Sequence, residues 1–205
     1  MTDHEFGKLI GESCIISLAN NPTNVLIAGL TDSFHANARA SRLALQCGTP
    51  YIQAGIYQDG SAAEISFSYP GITPSCARCT TSSRYKEYAN GFKNDATSDG
   101  CPIFTTDILN GVKGFISLML LLYKTPTRFG KYLDGYANKN FLQINFDPFS
   151  QLFPGAPIGN VQYFEQKPDH PSNGYEQCPD CQGMGQLHNV KGTISDTRKI
   201  FDQGE

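Results

Sequence analysis

The chain has 205 residues and a formal net charge of -3, and 40% of its residues are hydrophobic. This size and composition suit one folded domain with its own core, so we predict a single domain over residues 1–205. The negative charge argues against a nucleic-acid-binding protein, because phosphate backbones are bound by basic surfaces. We therefore expect no nucleic-acid partner.

The chain shows no recognisable signal for secretion or for insertion into a membrane. Met1–Glu5 is polar and acidic, unlike the start of a secretory signal. The longest strongly apolar run, Phe115–Tyr123, is too short to cross a bilayer, which takes about 20 residues. We expect a cytoplasmic protein with no membrane partner, in which Cys14, Cys47 and Cys101 are free thiols.

The first part of the chain predicts alternating strands and a helix. The apolar run Asn24–Leu30 is typical of a buried parallel strand. A helix is predicted over Ser33–Gln46, and Gly48 would end it. Tyr51–Tyr57 predicts a second strand, and the alternation in Glu64–Tyr69 predicts a half-exposed third strand. Together these elements indicate a βαβ unit with an antiparallel extension.

The second part of the chain predicts a loop, a helix and a late strand. Turn-forming residues at 90–100 indicate a flexible loop. The apolar spacing in Thr106–Tyr123 predicts a helix, and Phe141–Phe146 predicts a strand. Residues 186–205 are assigned to a tail.

Two Cys-x-x-Cys motifs carry the strongest chemical signal in the sequence. They are Cys76–Cys79, the first cysteine pair, and Cys178–Cys181, the second cysteine pair. Four thiolates complete a tetrahedral zinc site and leave no open position for substrate, so we predict a structural zinc ion bound by Cys76, Cys79, Cys178 and Cys181. That ion would fasten the last part of the chain to its middle.

Other interpretations of the cysteine pairs stay open. A disulfide within each pair would be strained and belongs to an oxidising compartment. A redox dithiol normally lies at a strand-to-helix turn, whereas Pro74 and Pro179 suggest loops. The segment Cys178–Gly185 also resembles the Cys-x-x-Cys-x-Gly-x-Gly unit of DnaJ-type chaperone zinc domains, but those domains use four such units and this chain has one.

The order of these features resembles the ubiquitin-activating-enzyme-like superfamily of ThiF/MoeB type. The segments that carry the resemblance are Leu30–Ser33, Cys47–Pro50, Tyr51–Gly55, Cys76–Cys79, Gly111–Gly114 and Cys178–Cys181. The resemblance implies an α/β fold, namely the C-terminal half of a Rossmann-type domain with a mixed sheet, helices and a zinc site of four cysteines.

The resemblance also implies an activity. Relatives use Mg-ATP to adenylate the C-terminal carboxylate of a ubiquitin-like or sulfur-carrier protein or peptide, and they are commonly homodimers. The Gly-rich turn that binds ATP in the family has no counterpart before Val25. We therefore expect an adenylyltransferase that is inactive without an N-terminal half and binds Mg-ATP only with it.

Two residues after the first strand would bind the nucleotide. The resemblance gives Asp32 a catalytic role beside the magnesium ion and the phosphates, and Arg39 a cofactor-binding role. The family usually has Asn after the aspartate and Arg five residues on, where this chain has Ser33 and Asn37. The alternatives are that Asp32, or one of its neighbours, caps the helix and that Arg39, like Arg42, is a solvated charge on the helix face.

Cys101 precedes the predicted second helix, where the resemblance implies a cysteine that forms a thioester or a persulfide. The alternative is a partly buried loop thiol. His35 and His188 are expected to be surface or capping residues.

The main alternative function is a non-catalytic, zinc-stabilised module for protein binding or dimerisation. A dinucleotide dehydrogenase is disfavoured, because the Gly fingerprint and its acidic ribose contact are both missing from the sequence.

Overall fold

The structure is a computed structural model that describes residues 25–57, 60–91, 100–150, 152–155, 158–159, 161–164, 178 and 180–181. Its strands form one five-stranded sheet in the order β1-β2-β3-β4-β5. The strands are β1 Ile27–Gly29, β2 Tyr51–Tyr57, β3 Ala62–Ser68, β4 Phe141–Asn145 and β5 Val161–Phe164. The helices are α1 Phe34–Cys47, α2 Ala77–Thr80, α3 Ser82–Ala89, α4 Ile103–Leu121 and α5 Tyr132–Tyr136, with a 3₁₀ turn at Arg128–Lys131.

The sheet is mixed, as the sequence predicted. β1 and β2 are parallel, and Ile27 lies opposite Tyr51. The remaining neighbours are antiparallel. This arrangement is the predicted βαβ unit followed by an antiparallel extension, and it is consistent with a Rossmann-type fold.

Helix α1 has the ends that its sequence indicates. The Ser33 hydroxyl accepts a hydrogen bond from the Ala36 amide, which would otherwise lack a partner in the first turn. At the other end, Gly48 adopts a φ of 65°, a left-handed conformation that suits glycine, and its amide donates to the last turn. The predicted helix is confirmed with a shift of one residue at each end.

Helices cover both faces of the sheet. On one face, Ile65, Phe67 and Leu142 form the main core with Leu109 and Leu120 of α4 and their neighbours. On the other face, Tyr51 packs with Ala40 and Ala44 of α1 and with Ala77 of α2. The alternation along each strand therefore separates two layers of packing.

Strand β3 is buried along its whole length. The prediction that this strand is half exposed was wrong. β3 is a central strand, between β2 and β4. Its polar side chains Glu64 and Ser66 contact Arg84 of α3 and Thr80 of α2. The alternation of polar and apolar residues assigned the side chains to the correct faces of the strand. It cannot show whether the polar face is exposed to water or covered by another part of the protein.

The first cysteine pair lies at the start of a helix and not in a loop. Cys76 is the N-cap residue of α2, directly before its first residue, and Cys79 lies within the helix. The prediction of a loop at this pair was wrong, because Pro74 lies before the helix and does not interrupt it. The sequence reading also missed the short elements α3, α5 and β5.

Helix α4 covers one face of the sheet and leaves much apolar surface exposed. Ile116, Met119 and Leu120 are buried, whereas Phe104 and Phe115 are 62% and 59% exposed. By length and composition alone, the 19 residues of α4 could cross a membrane, with a mean hydropathy of 1.3 and 28% of the stretch buried. The same features suit a helix that packs on a sheet. The helix was predicted over Thr106–Tyr123 and starts three residues earlier.

Several predictions fall outside the described residues. These are most of the loop at 90–100, the tail at 186–205, Cys14 and His188. The single-domain assignment stays a prediction.

Candidate functional site

The four predicted metal ligands come together in the structure. The Sγ atoms of Cys76 and Cys79 are 3.8 Å apart, those of Cys76 and Cys178 are 3.7 Å apart, and those of Cys79 and Cys181 are 3.4 Å apart. All four thiols are buried, and their sulfur atoms lie within 4.8 Å of one another. Zn–S bonds of about 2.3 Å in a tetrahedron place sulfur atoms about 3.8 Å apart. The cluster therefore has the donor atoms and the size that a metal ion requires.

The separations exclude disulfide bonds within the cluster. A disulfide holds two sulfur atoms about 2.05 Å apart, and all four cysteines of the cluster are thiols. A disulfide within each cysteine pair, which the sequence had left open, is therefore not formed in this structure.

The thiols perturb one another's protonation. Hydrogen bonding with Cys178, aided by burial, raises the pKa of Cys76 and of Cys79 above the usual value of a thiol. The hydrogen bond with Cys181 raises the pKa of Cys178, but those with Cys76 and Cys79 outweigh it, so that the pKa of Cys178 is lowered. Four thiolates cannot share so small a buried volume without a cation. A divalent metal ion would supply that charge.

A buried asparagine fixes the segment that enters the first cysteine pair. Asn140, fully buried just before β4, donates hydrogen bonds to the carbonyl oxygens of Phe67 at 2.7 Å and Ser75 at 3.0 Å. The Ser75 hydroxyl donates back to Asn140 Oδ1 at 2.8 Å. The sheet therefore determines where Cys76 lies.

Asp180, inside the second cysteine pair, is paired with two arginines. Its Oδ1 atom lies 2.9 Å from Arg42 Nη1 and 3.2 Å from Arg78 Nη1. Asp180 is 3% exposed. The interpretation of Arg42 as a solvated charge on the helix face was therefore wrong. Residues 42 and 180 are 138 positions apart, and no local pattern could have revealed the pair.

Asp32 is exposed in the loop between β1 and α1. Ser33 provides the helix cap, so Asp32 is not needed for that role. Asn37 closes the loop: its Nδ2 donates to the Thr31 carbonyl oxygen at 2.8 Å. Arg39 lies two residues further along α1, is half-buried and has interaction partners.

Cys101 is exposed immediately before α4. Its Sγ atom lies 2.8 Å from Thr105 Oγ1 and 3.4 Å from Thr106 Oγ1, and these hydroxyls lie in the first turn of the helix. A Cβ atom on Gly60, which has a φ of 82°, would lie 2.9 Å from this sulfur. The turn after β2 thus touches Cys101.

Asp32 and Cys101 lie at the same end of the sheet. β1 and β2 are parallel, and their carboxyl ends therefore point in one direction. Asp32 follows β1 at this end, and Gly60, next to Cys101, follows β2 there. Ligands of open α/β sheets bind beyond the carboxyl ends of the strands. The arrangement suits a binding site, although the roles of both residues stay predictions.

The sequence reading missed an ion pair on the covered face of the sheet. Glu64 of β3 pairs with Arg84 of α3 at the floor of a cleft of about 490 Å³. Burial raises the pKa of Glu64 to about 8, and the neighbouring guanidinium opposes that rise. A glutamate at the start of a strand predicted to be half exposed gave no signal of burial.

One wall of this cleft is held by Asn145 of β4. Its Nδ2 donates to the Phe153 carbonyl oxygen at 2.9 Å, and the Phe153 amide donates to its Oδ1 at 3.1 Å. The Phe153 ring meets the Tyr57 ring edge to face, with centroids 5.4 Å apart. The buried amide thereby anchors an aromatic wall over the sheet.

Comparisons with known proteins identify no family for this chain. A scan against models of protein families finds no match, and neither does a search of curated proteins. Among solved structures, the crystal structure of E. coli MccB with succinimide is similar, at 16% identity and a TM-score of 0.40. The match covers 76% of this chain and 40% of the MccB chain. At this TM-score the likeness carries no information about activity.

Proposed function

We propose that this chain forms part of a ThiF/MoeB-like enzyme that adenylates the C-terminal carboxylate of a ubiquitin-like or sulfur-carrier protein or peptide. The observation that carries the proposal is the exposed Asp32 carboxylate beyond the carboxyl end of a parallel strand, released from the capping role that Ser33 fills. The thiol cluster and the order of the sequence motifs support the same assignment.

In this proposal Asp32 helps to hold a hard cation beside the phosphates, a role that suits a carboxylate. Mg-ATP, bound with a Gly-rich N-terminal half, would supply the adenylyl group: a carboxylate oxygen would bond to the α-phosphorus as the bond to pyrophosphate breaks and pyrophosphate leaves. Arg39 would contribute positive charge toward the nucleotide. The cluster of four thiols would hold zinc in a structural role, because four protein ligands leave no position for a substrate.

We propose Cys101 as the acceptor of the activated acyl group, by analogy with the relatives that transfer this group to a cysteine. Its thiolate would attack the acyl carbon of the adenylate, the new C–S bond would form as the C–O bond to phosphate breaks, and AMP would leave. The exposure of Cys101 at the same end of the sheet as Asp32 supports this order of events.

The experiment is ATP–pyrophosphate exchange measured on the gene product that carries this chain, with and without its carboxylate substrate. The substrate would first be sought by pull-down, as a small protein with a Gly-Gly-like tail. We expect Asp32→Ala to abolish exchange and Cys101→Ser to leave exchange intact while blocking thioester formation. Exchange that is indifferent to Asp32→Ala would overturn the proposal.

A second candidate is the non-catalytic binding or dimerisation module, and the exposed apolar side of α4 favours it. Ile103, Phe104 and Phe115 are 78%, 62% and 59% exposed. Apolar surface of this kind commonly marks a contact with another protein. We also propose a homodimer in the cytoplasm, without nucleic-acid or membrane partners, and sedimentation analysis would test the dimer.

A further inference from the structure

The inner residues of the two cysteine pairs contact each other. Arg78 lies between Cys76 and Cys79, Asp180 lies between Cys178 and Cys181, and their side chains are 3.2 Å apart. The two segments that supply the thiols are thus also joined by an ion pair.

The same carboxylate reaches outside the cluster to α1. Arg42, in the middle of this helix, donates to Asp180 Oδ1 at 2.9 Å. A divalent ion with four thiolates carries a net charge of -2, and Asp180 adds one more negative charge beside it. The two arginines offset two of these three negative charges, so most of the excess charge is compensated only when α1 and α2 are both in place.

A second line of contacts leads from Arg78 to the start of α1. The Arg78 guanidinium lies over the Tyr85 ring, 4.5 Å from its centroid. Tyr85 meets the Phe34 ring edge to face at 4.8 Å, and Phe34 is stacked on Tyr88 at 4.1 Å. Phe34 is the first residue of α1 and directly follows the loop that contains Asp32.

We propose that Asp180 is a positioning residue that couples metal loading to the placement of α1 and of the loop Thr31–Ser33. Metal binding fixes the second cysteine pair and therefore the Asp180 carboxylate. Without the metal, Asp180 loses its fixed position, and two partly buried guanidinium groups lose their ion pair with it, which is costly. The proposal goes beyond the adenylation chemistry and does not depend on it.

The test is hydrogen exchange of the amides of α1, followed by mass spectrometry on the full chain, in chelator and after zinc is returned. In the parent protein we expect chelation to speed exchange in α1 by at least about tenfold, and zinc to restore protection. Asp180→Asn should still bind zinc through its four thiols, yet zinc should no longer restore protection in α1. Asp180→Glu, which keeps the charge, should rescue part of the response.

Two further variants keep the test decisive. Asp107→Asn, on the exposed side of α4, is the matched control and should respond to zinc like the parent. If Asp180→Asn does not fold, Arg42→Gln decides, because it leaves the contact between Arg78 and Asp180 intact and should weaken the response in the middle of α1. A parent-like zinc response in α1 of folded Asp180→Asn, or of Arg42→Gln, would overturn the proposal.

Discussion

Glu64 and Arg84 form an ion pair between a central strand and a helix of the layer above it, with Glu64 only 7% exposed. A carboxylate so deeply buried is costly to charge, and the guanidinium offsets only part of that cost. The pair therefore makes stability depend on pH.

We predict that Glu64 makes the protein less stable as pH rises. Burial raises the pKa of Glu64 from an ordinary value of 4.5 to about 8 in the folded state. The folded protein then holds this proton more tightly than the unfolded chain, so the contribution is fully present below pH 4.5 and is lost as pH rises to about 8. Urea unfolding at a series of pH values would measure it.

Glu64→Gln should remove most of this slope, and Asp107→Asn, a change at an exposed position of α4, should leave it unchanged. Equal slopes for the parent and for Glu64→Gln would contradict the assignment of the titrating group.

The second prediction concerns the metal. The purified protein should carry about one zinc ion per chain, and chelation should lower its unfolding temperature, because the binding energy of a structural metal is folding energy. Cys178→Ser should lose both zinc and stability, whereas Cys101→Ser, outside the cluster, should keep its zinc. Elemental analysis with thermal unfolding checks the outcome. A metal-free protein of full stability would exclude a metal centre.

The third prediction separates capping from site chemistry at the start of α1. Ser33→Ala should lower the free energy of unfolding by about 1 kcal/mol, because the Ala36 amide loses its acceptor. Asp32→Ala should change it by less than about 0.5 kcal/mol, as expected for an exposed residue with no structural role. Denaturant unfolding of the two variants gives the comparison. The reverse order would assign the cap to Asp32.

The fourth prediction concerns the two sides of α4. Leu120 is 1% exposed and belongs to the main core, so Leu120→Ala should cost about 2 to 5 kcal/mol of stability. Leu118 is 41% exposed, and Leu118→Ala should cost far less in a monomer. A large cost at Leu118 that grows with protein concentration would instead indicate that this side of α4 is covered by another chain.

The sequence predicted helices and strands well where characteristic residues stand at both ends of the element. The bounds of β2 were predicted correctly, and α1 was found because Ser33 and Gly48 mark its ends. The short α2 and α3 give too few turns for a clear apolar period. The four cysteines were recognisable because metal ligands have a characteristic spacing.

Contacts between distant parts of the chain could not be predicted in this way. Asp180 follows a proline in a polar segment, and only the fold brings Arg42 to it. The burial of Glu64 could not be predicted either, because it depends on α3, a helix that the sequence did not reveal. Both examples are charged residues, for which exposure is the usual expectation and burial depends on a partner.

The thiol cluster joins positions that are 102 residues apart along the chain. Closing a loop of about 100 residues costs roughly 4.7 kcal/mol of chain entropy, so the cluster should assemble late, after the local strand and helix contacts have formed. Contacts that form after the transition state slow unfolding but do not speed folding. A bound metal should therefore act mainly by slowing unfolding, which lengthens the lifetime of the folded chain.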